Sequence, residues 1–591
     1  RRRERRGHRP PTSPRSNPKT PVGPNGRGAC SGRSHLRPER RPRTVRPHSA
    51  ANIAAVSADL TETERARLAP YVTDTVGPVF ALTNLPEVVK GALFARYSRS
   101  PKSLRRLLLD EFLPEDGSTV SAATDTGEDQ AAALYDRVLA EYGDDSVAQL
   151  GGAHIAVEGA SNILTKILEW GRLASYLEQS TRYIRLDDKP AGRHRYHRPA
   201  ALDADPALRE HYTTTLDRAF DTYAALIPKL VEHFEPLVPD EPGTPAPARA
   251  RAIRARALDA LRGLLPAATE ANLGIFASGQ AYESLLIRLQ SHALPEAREC
   301  GTAMLRELRK VIPAFLTRVD REDRGVRHGA YLADADRATT QLATELLGTP
   351  AEHADGPIVR LVDWDRDGET RVAAHALWPS SGRSFADVRG AAEAMNSQEL
   401  LAVMSAYEGA RSDRRHRPGR ALEATSYTFE VVCDYGAYRD LQRHRLLTLQ
   451  AQPLTPHLGY DVPAEVTDAG LDGIYAESQA ACAGLYALLA PVFAAEASYA
   501  VTLAHRIRFT ITLNAREAMH LIELRSQPQG HETYRVVAQE MHRLIEDEAG
   551  HRALAEMMRF VDRSSQTAGR LAAERRQEQR AAQRAHDRLE S

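Results

Sequence analysis

Residues 170–183 read W-G-R-L-A-S-Y-L-E-Q-S-T-R-Y, and residues 443–456 read R-H-R-L-L-T-L-Q-A-Q-P-L-T-P. When position 170 is laid on position 443, the two segments complete one pattern: R-H-R, seven residues, then S-x-R-Y. Only the second segment keeps the beginning of this pattern, and only the first keeps its end. This complementary loss indicates an internal duplication whose copies contribute different parts of one site.

The sequence before each segment has helical periodicity. Ile163, Ile167 and Trp170 share one face of a helix expected over residues 160–173. A second helix, carrying R-H-R at its end, is expected over residues 435–449, because prolines at 453 and 456 stop it. Two further R-H-R copies, at residues 193–195 and 415–417, are flanked by proline and are expected to be solvated basic loops.

A second pair of motifs lies downstream. Residues 510–525, T-I-T-L-N-A-R-E-A-M-H-L-I-E-L-R, contain N-x-R, eight residues and a further Arg, and are expected to form one helix. The corresponding window of the first half, residues 276–290, lacks N-x-R, and Arg288 lies one or two positions out of register. The first half has instead R-G-L-L-P at residues 262–266.

Together these motifs resemble those of the flavin-dependent thymidylate synthases, in residues 130–190, 250–290 and 357–540. The resemblance implies an α+β fold, mostly helical with a small sheet, in two tandem copies. It implies an FAD site made by Arg443, His444, Arg445, Asn514 and Arg516. It implies a dUMP site made by Glu178, Gln179, Ser180, Arg182 and Arg262. It also implies that Arg525 polarises the uracil ring as charge develops on it.

Members of that family share each active site between subunits and convert dUMP to dTMP with methylenetetrahydrofolate and NADPH. The resemblance therefore implies an FAD-dependent thymidylate synthase-like enzyme in which two chains form a pseudo-tetramer. Pro453 and Pro456 of the second copy align with Ser180 and Tyr183 of the first. Since proline has no backbone N–H to offer a phosphate, we expect a nucleotide-holding first half and a flavin-holding second half.

A non-catalytic paralogue that binds a nucleotide or a partner protein is the alternative. Asp440 favours it, because the family often has Gln there and a carboxylate repels an anionic substrate. The family's G-H-x-S-x-x-E-H element reads G-D-D-S-V-A-Q-L at residues 143–150, without its histidines, and only A-L-E-A remains at residues 421–424.

A third hypothesis is a di-iron helical protein, since Glu517/His520 and Glu548/His551 form two E-x-x-H pairs. Such a site needs two further carboxylates on facing helices.

The four cysteines lie far apart without a C-x-x-C pair, which argues against zinc or disulfides and favours a cytoplasmic location. We therefore expect no bound metal.

Charge and composition divide the chain. Residues 1–50 carry 14 Arg and one Lys against Glu4 and Glu39, so this segment has a charge of about +13 in a chain of net charge zero. An Arg/Pro-rich tail over residues 1–56 is expected to be disordered. Because it has no aromatic residues to stack on bases, nucleic-acid binding is not expected. The expected domains are residues 57–346 and 347–563, followed by a charged helix over residues 564–591.

Two further segments give expectations about local structure. Residues 358–378 alternate about a D-R-D-G turn, which favours a strand–loop–strand unit. Residues 486–504 are the most apolar stretch, but they contain Pro491 and Glu496, so they predict a buried helix and no membrane contact.

Overall fold

The computed structural model describes residues 60–98, 100–113, 149–182, 184–238, 246–348 and 358–564. The tail over residues 1–56, residues 143–148, Tyr183 and the segment after Ser564 lie outside the described residues. The strands are β1 (Gly152–Ser161), β2 (Ala174–Glu178), β3 (Glu270–Ser278), β4 (Ile358–Trp364), β5 (Ser426–Asp434), β6 (Thr448–Ala451) and β7 (Arg506–Asn514).

The helices of the first half are α1 (Glu62–Leu68), α2 (Glu87–Tyr97), α3 (Leu104–Leu107), α4 (Asn162–Leu168), α5 (Pro206–Phe234), α6 (Ala246–Leu261), α7 (Gly279–Gln290), α8 (Pro295–Leu308) and α9 (Arg327–Leu347). The helices of the second half are α10 (Gly368–Ser381), α11 (Phe385–Glu393), α12 (Ser397–Glu408), α13 (Tyr435–Leu441), α14 (Ala464–Asp468), α15 (Asp472–Leu489), α16 (Ala515–Arg525), α17 (Glu532–Asp547) and α18 (Arg552–Met557).

Each half is built on two strand–helix junctions. β1 runs into α4 and β5 into α13, and laying position 170 on position 443 also lays the first residue of α4 on the first residue of α13. β3 runs into α7 and β7 into α16, and these two junctions match when position 270 is laid on position 506. We call these alignments the 170/443 overlay and the 270/506 overlay.

The last residue of each of these four strands caps the following helix. Its side chain accepts an N–H of the first helical turn, which would otherwise have no partner. The four capping residues are Ser161, Ser278, Asp434 and Asn514. The same local chemistry therefore turns strand into helix in both halves.

The two halves have the same sheet topology. The first sheet has the order β1-β3-β2, and the second has the order β4-β5-β7-β6, with β4 as an added edge strand. All strand pairs are antiparallel. The fold is therefore α+β with two tandem copies of one unit, as the repeated pattern predicts.

A pseudo-two-fold axis relates the halves and passes between Pro266 and Thr502, which form an isolated antiparallel bridge. The N–H of Ala267 donates to the carbonyl of Val501 (2.7 Å), and the N–H of Leu503 donates to the carbonyl of Leu265 (2.9 Å). Replacing each partner by its counterpart in the 270/506 overlay turns one bond into the other. This reciprocity is the mark of an isologous interface, here formed inside one chain.

A side chain also joins two counterpart residues. The Tyr435 hydroxyl donates to the carbonyl of its own counterpart, Asn162 (3.2 Å). Buried apolar residues of both halves belong to one continuous cluster. The halves therefore share a core and hold the sequence motifs in fixed positions. Within the described ranges, no helix is both long and apolar enough to cross a bilayer.

Several expected helices begin or end elsewhere. The helix expected over residues 160–173 covers only Asn162–Leu168, and the one expected over residues 435–449 ends at Leu441. In both cases a turn follows the helix and leads into a short strand that pairs with the sheet, as Leu449 does with Ile511. R-H-R therefore lies in the turn after a helix, not on one.

The single helix expected over residues 510–525 is wrong, because its first part is the end of β7. Thr510, Ile511, Thr512 and Leu513 alternate between half-buried and buried positions, which is strand periodicity, and helix α16 starts only after Asn514.

Two other expectations need correction. Residues 358–364 form a strand as expected, but the second strand of that unit is wrong, because an alanine-rich sequence favours helix α10 there. The buried helix expected over residues 486–504 ends at Leu489, with a turn of 3₁₀ helix at Ala497–Ala500. The expected domain boundaries and the cytoplasmic location stay predictions.

Candidate functional site

The end of β2 in the first half meets the turn after α13 in the second half. The side chain of Glu178 is fully buried there, and its two oxygens accept from Lys166 (3.0 Å), Arg439 (2.7 Å) and Arg443 (2.9 Å). Burial alone would raise the pKa of Glu178, but the charges of Arg439, Lys166 and Arg443 hold it well below its usual range. Both halves therefore depend on one carboxylate.

Lys166 and Arg439 are counterparts in the 170/443 overlay, four positions before Trp170 and Arg443. Both contact Glu178. Sequence comparison missed this pair, although extending the overlay by four positions would have found two aligned cations. Lys166 also forms an ion pair with the buried Glu169.

Asp440 is the second carboxylate of the site. Its Oδ2 lies 3.5 Å from Nη1 of Arg262, and its Oδ1 lies 3.5 Å from Nη1 of Arg443. Burial opposes ionisation, yet the charges of Arg262, Arg443, Arg525 and Arg182 lower its pKa to about 2. We call Glu178, Arg182, Arg262, Asp440, Arg443 and Arg525 the composite site. Asp440 therefore acts as the internal counterion of these arginines.

Arg182 is held in place by both halves. Its guanidinium forms a two-pronged ion pair with Asp259, with N–O distances of 2.7 and 2.8 Å, and it donates to the hydroxyl of Tyr534 (2.9 Å) from the second half. The hydroxyl of Ser180 accepts the N–H of Arg182 (3.2 Å). The backbone N–H of Gln179 donates to Asn272. Sequence reasoning missed Asp259 and Tyr534, which no motif signals.

The residues expected to bind the flavin lie in two different surroundings. Arg443 is 40% exposed, and the guanidinium of Arg445 lies 5.1 Å from the centre of the Tyr176 ring across the contact between the halves. Asn514 caps α16, while Arg516 donates to the carbonyl of Pro418 (3.0 Å) and to Glu423 (3.2 Å). Arg443 and Arg445 thus lie at the contact between the halves, Arg443 paired with Glu178 and Asp440 and partly exposed, and Arg445 half-buried over Tyr176. Asn514 and Arg516 are engaged within the second half.

His444 is buried and has a partner on each ring nitrogen. Its Nδ1 lies 2.9 Å from Glu517, and its Nε2 accepts from Nε of Arg525 (3.0 Å). Burial is the main reason that its pKa falls to about 4. His444 is therefore neutral at pH 7 and offers no free nitrogen to a ligand.

The other R-H-R copies are more than solvated loops, contrary to expectation. His194 is buried and bonds to Asp221 (2.9 Å), and Arg417 lies 3.1 Å from Nε2 of His520. In the described part of the chain, the side chains close enough to share a metal ion are His444, Glu517 and His520. His551 pairs instead with Tyr427 (2.8 Å), so the two E-x-x-H pairs do not form the single cluster that a di-iron site requires.

The pseudo-equivalent position, related to the composite site by the two-fold axis, has lost its charges. Trp170 and Gly171 stand where the second half has Arg443 and His444, and Ala451 stands where the first half has Glu178. In the 270/506 overlay, Ser498 replaces Arg262 and Leu289 replaces Arg525. Each chain therefore carries one charged site and one position where the residues aligned with that site are uncharged.

Comparison with known proteins matches both halves. The chain fits the Thy1 family model, described as thymidylate synthase complementing protein, over residues 93–314 and 360–549. A UPF0159 protein of Chlamydia pneumoniae is 42% identical over 517 residues, which cover 86% of this chain and 97% of that protein. A flavin-dependent thymidylate synthase of Mycobacterium marinum is 30% identical over 213 residues, which cover 36% of this chain and 76% of that protein.

A solved structure of a UMP/dUMP methylase PolB from Streptomyces cacaoi, bound with 5-Br dUMP, is 18% identical. The match covers 35% of this chain and 97% of that chain, with a TM-score of 0.28.

Proposed function

The chain belongs to the Thy1 family, and from this premise we propose that it is an FAD-dependent thymidylate synthase-like enzyme with one composite site per chain. The reaction would be reductive methylation of dUMP to dTMP with methylenetetrahydrofolate and NADPH. The observation that carries the proposal is the convergence of arginines from both halves on Asp440.

The charge balance of this region favours an anionic ligand. Six cations gather around the composite site: Lys166, Arg182, Arg262, Arg439, Arg443 and Arg525. Five carboxylates oppose them: Glu169, Glu178, Asp259, Asp434 and Asp440. Burial raises the pKa of Asp434. A phosphate monoester would supply the missing negative charge.

Arg262 is the arginine best placed to accept that phosphate. Its Nη2 is buried and has no hydrogen-bond partner among the described residues, although Asp434 lies 3.7 Å away. An unsatisfied buried donor costs about 1–3 kcal/mol, which a phosphate oxygen would recover. Arg182 would add a second contact, with Ser180 and Gln179 beside it. Glu178 cannot hold the nucleotide directly as expected, because three cations cover it; we propose that it positions Arg443.

The flavin would lie against the exposed Arg443 and the half-buried Arg445, whose guanidinium groups suit a pyrophosphate. When bound, FAD would supply the reducing equivalents for the methyl group. His444 fits this role less well, because it is buried with a partner on each ring nitrogen, and the side chains of Asn514 and Arg516 bond to the protein. Arg525 would face the nucleotide, where its positive charge would stabilise negative charge developing on the uracil ring.

We further propose that two chains associate into a pseudo-tetramer. Leu173 and Leu446 are counterparts in the 170/443 overlay, and both are highly exposed. Leu177 and Phe276 extend the exposed apolar surface on the first sheet. A second copy would cover this surface, and light scattering at twice the chain mass would support the dimer, whereas a monomeric mass at assay concentration would reject it.

The nucleotide site is tested by calorimetric titration with dUMP, with deoxyuridine as the ligand that lacks phosphate. We expect wild type to bind dUMP and Arg262→Gln to bind it about 10–100-fold more weakly, the usual loss for a charge-assisted hydrogen bond. Arg288→Gln is the matched control, because Arg288 donates to the carbonyl of Ile167 near the pseudo-equivalent position. Equal affinities for dUMP and deoxyuridine would reject the phosphate site.

Catalysis is tested separately by dTMP formation and by the absorbance of purified protein in the flavin bands. Both are expected. The buried, fully bonded His444 favours the alternative, a non-catalytic nucleotide-binding paralogue. Tight binding of dUMP without flavin absorbance or dTMP formation would support the non-catalytic paralogue over the enzyme.

A further inference from the structure

Five side chains of the second half form a continuous hydrogen-bonded chain that ends at the composite site. Arg417 Nη2 lies 3.1 Å from Nε2 of His520, and Nδ1 of His520 lies 3.3 Å from both oxygens of Glu517. Glu517 Oε1 lies 2.9 Å from Nδ1 of His444, whose Nε2 lies 3.0 Å from Nε of Arg525. We call these five residues the Arg–His–Glu–His–Arg chain.

The partners fix the protonation of both imidazoles. An arginine only donates, so Nε2 of each histidine must accept. An ionised carboxylate only accepts, so Nδ1 of each must carry the proton. Glu517 is ionised at pH 7, since His444 and His520 lower its pKa to about 2 despite burial. The contacts therefore assign the proton of each ring to Nδ1 and the accepting lone pair to Nε2.

We propose that Glu517 is a positioning residue that sets the direction of Arg525 through the tautomer of His444. Because Nε2 of His444 holds the Nε–H of Arg525, the terminal amino groups of that arginine are directed towards the Tyr534 hydroxyl and the proposed ligand. The Tyr534 ring, 5.4 Å from the guanidinium carbon, supports the other side. Among the described residues no carboxylate lies within ion-pair distance of Arg525. The part of this inference that concerns ligand binding rests on the proposed function.

The pseudo-equivalent position shows that the chain of hydrogen bonds is specific to the charged site. Ala281, Ser284 and Leu289 of α7 stand where α16 has Glu517, His520 and Arg525. Gly171 stands where the second half has His444. Four residues of the Arg–His–Glu–His–Arg chain are thus present at the composite site, where arginines converge. Other residues replace them at the pseudo-equivalent position. A role confined to the fold would not require this difference between two copies of one unit.

His444, Glu517 and His520 are also close enough to share a metal ion, since their ligand atoms lie within 4.8 Å of one another. A metal on Nδ1 would leave the proton of each ring on Nε2. That proton would point at the N–H groups of Arg525 and Arg417, which also donate. The two arginines therefore favour the hydrogen-bonded arrangement over a metal site.

The tautomers are tested without any ligand, by ¹⁵N spectra of histidine-labelled protein, with His444→Gln and His520→Gln used for assignment. Wild type is expected to show both rings as Nδ1–H. In Glu517→Gln the amide accepts from one ring and donates to the other, so one ring is expected to change to Nε2–H. Unchanged tautomers in Glu517→Gln, an Nε2–H form in wild type, or stoichiometric metal in purified protein would overturn the proposal.

The effect on Arg525 is then measured by dUMP titration. Glu517→Gln is expected to weaken dUMP binding about tenfold, the loss of roughly one charge-assisted contact, and Glu517→Asp to restore part of it. Glu423→Gln is the control. Glu423 pairs with Arg516, which lies on the same helix as Glu517, but Glu423 is not part of the Arg–His–Glu–His–Arg chain. Equal affinities in wild type and Glu517→Gln would overturn the positioning role. If wild type binds no dUMP, the proposed function is rejected. The ¹⁵N spectra, which need no ligand, would still test whether Glu517 sets the tautomer of His444.

Discussion

Glu178 Oε2 and Arg443 Nη2 lie 2.9 Å apart, although 265 positions separate the two residues in the sequence. Glu178 ends the strand that leads into S-x-R-Y, and Arg443 begins R-H-R. The contact therefore joins the two surviving ends of the split pattern inside one chain. It makes the composite site depend on the packing of one half against the other.

Glu178→Gln is expected to destabilise the protein strongly, because Lys166, Arg439 and Arg443 lose their shared negative charge in a buried position. Breaking a buried ion pair by removing one partner typically costs about 3–5 kcal/mol. Denaturant unfolding measures the loss. Glu158→Gln, at an exposed position on β1, is the control and is expected to change stability by less than about 0.5 kcal/mol. Equal losses in the two variants would contradict this role for Glu178.

Asp440→Asn is expected to change affinity and stability in opposite directions. Removing the internal counterion leaves the arginines free to attract anions, so affinity for inorganic phosphate and dUMP should rise at least about tenfold. Stability should fall, because the buried arginines repel one another. Calorimetry and denaturant unfolding measure the two effects, with the exposed Asp468→Asn as control. A loss of phosphate affinity would show that Asp440 contacts the ligand in another way.

His444 gives stability a defined dependence on pH. Its pKa is about 4 in the folded protein against 6.5 as the ordinary value, mainly because burial disfavours the charged ring. The unfolded chain therefore binds a proton first, so this contribution is complete above pH 6.5 and is lost as pH falls towards 4. The loss from His444 is at most about 3 kcal/mol.

His444→Gln should flatten the fall in stability between pH 6.5 and 4, as measured by unfolding at several pH values. His505 and His531, with pKa values of about 4 and 3, keep part of that slope. Asp440 and Glu517, both near 2, contribute only below about pH 4.5. The exposed His211→Gln should leave the slope unchanged. A slope as steep in His444→Gln as in wild type would contradict the buried neutral histidine.

The sequence was sufficient to predict the duplication and its fold class, because the 170/443 overlay recurs in structure as α4 and α13. It did not predict where the helices end. Residues after Leu168 and Leu441 have apolar spacing compatible with a helix, but a turn follows each helix and leads into a strand that pairs with β3 or β7. Tertiary hydrogen bonds thus override local periodicity, as they also do before Asn514.

The site was only partly predictable for a related reason. Arg182, Arg262 and Arg443 belong to recognisable motifs, whereas their counterions Asp259 and Asp440 are defined by contacts across the two halves. From the sequence alone, Asp440 is expected to repel an anionic substrate. Its surroundings show instead a carboxylate outnumbered by arginines.

Mixing damaged chains is expected not to restore the site. Sequence resemblance implies sites shared between subunits, but Arg182 and Arg443 both face Asp440 of their own chain. A co-expressed mixture of Arg182→Ala and Arg443→Ala chains should therefore bind no more dUMP than either variant alone. A mixture of wild type and Arg443→Ala should bind in proportion to its wild-type chains, which controls for assembly. Recovery of dUMP binding in the first mixture would mean that the ligand lies between copies, with Arg182 from one chain and Arg443 from its partner.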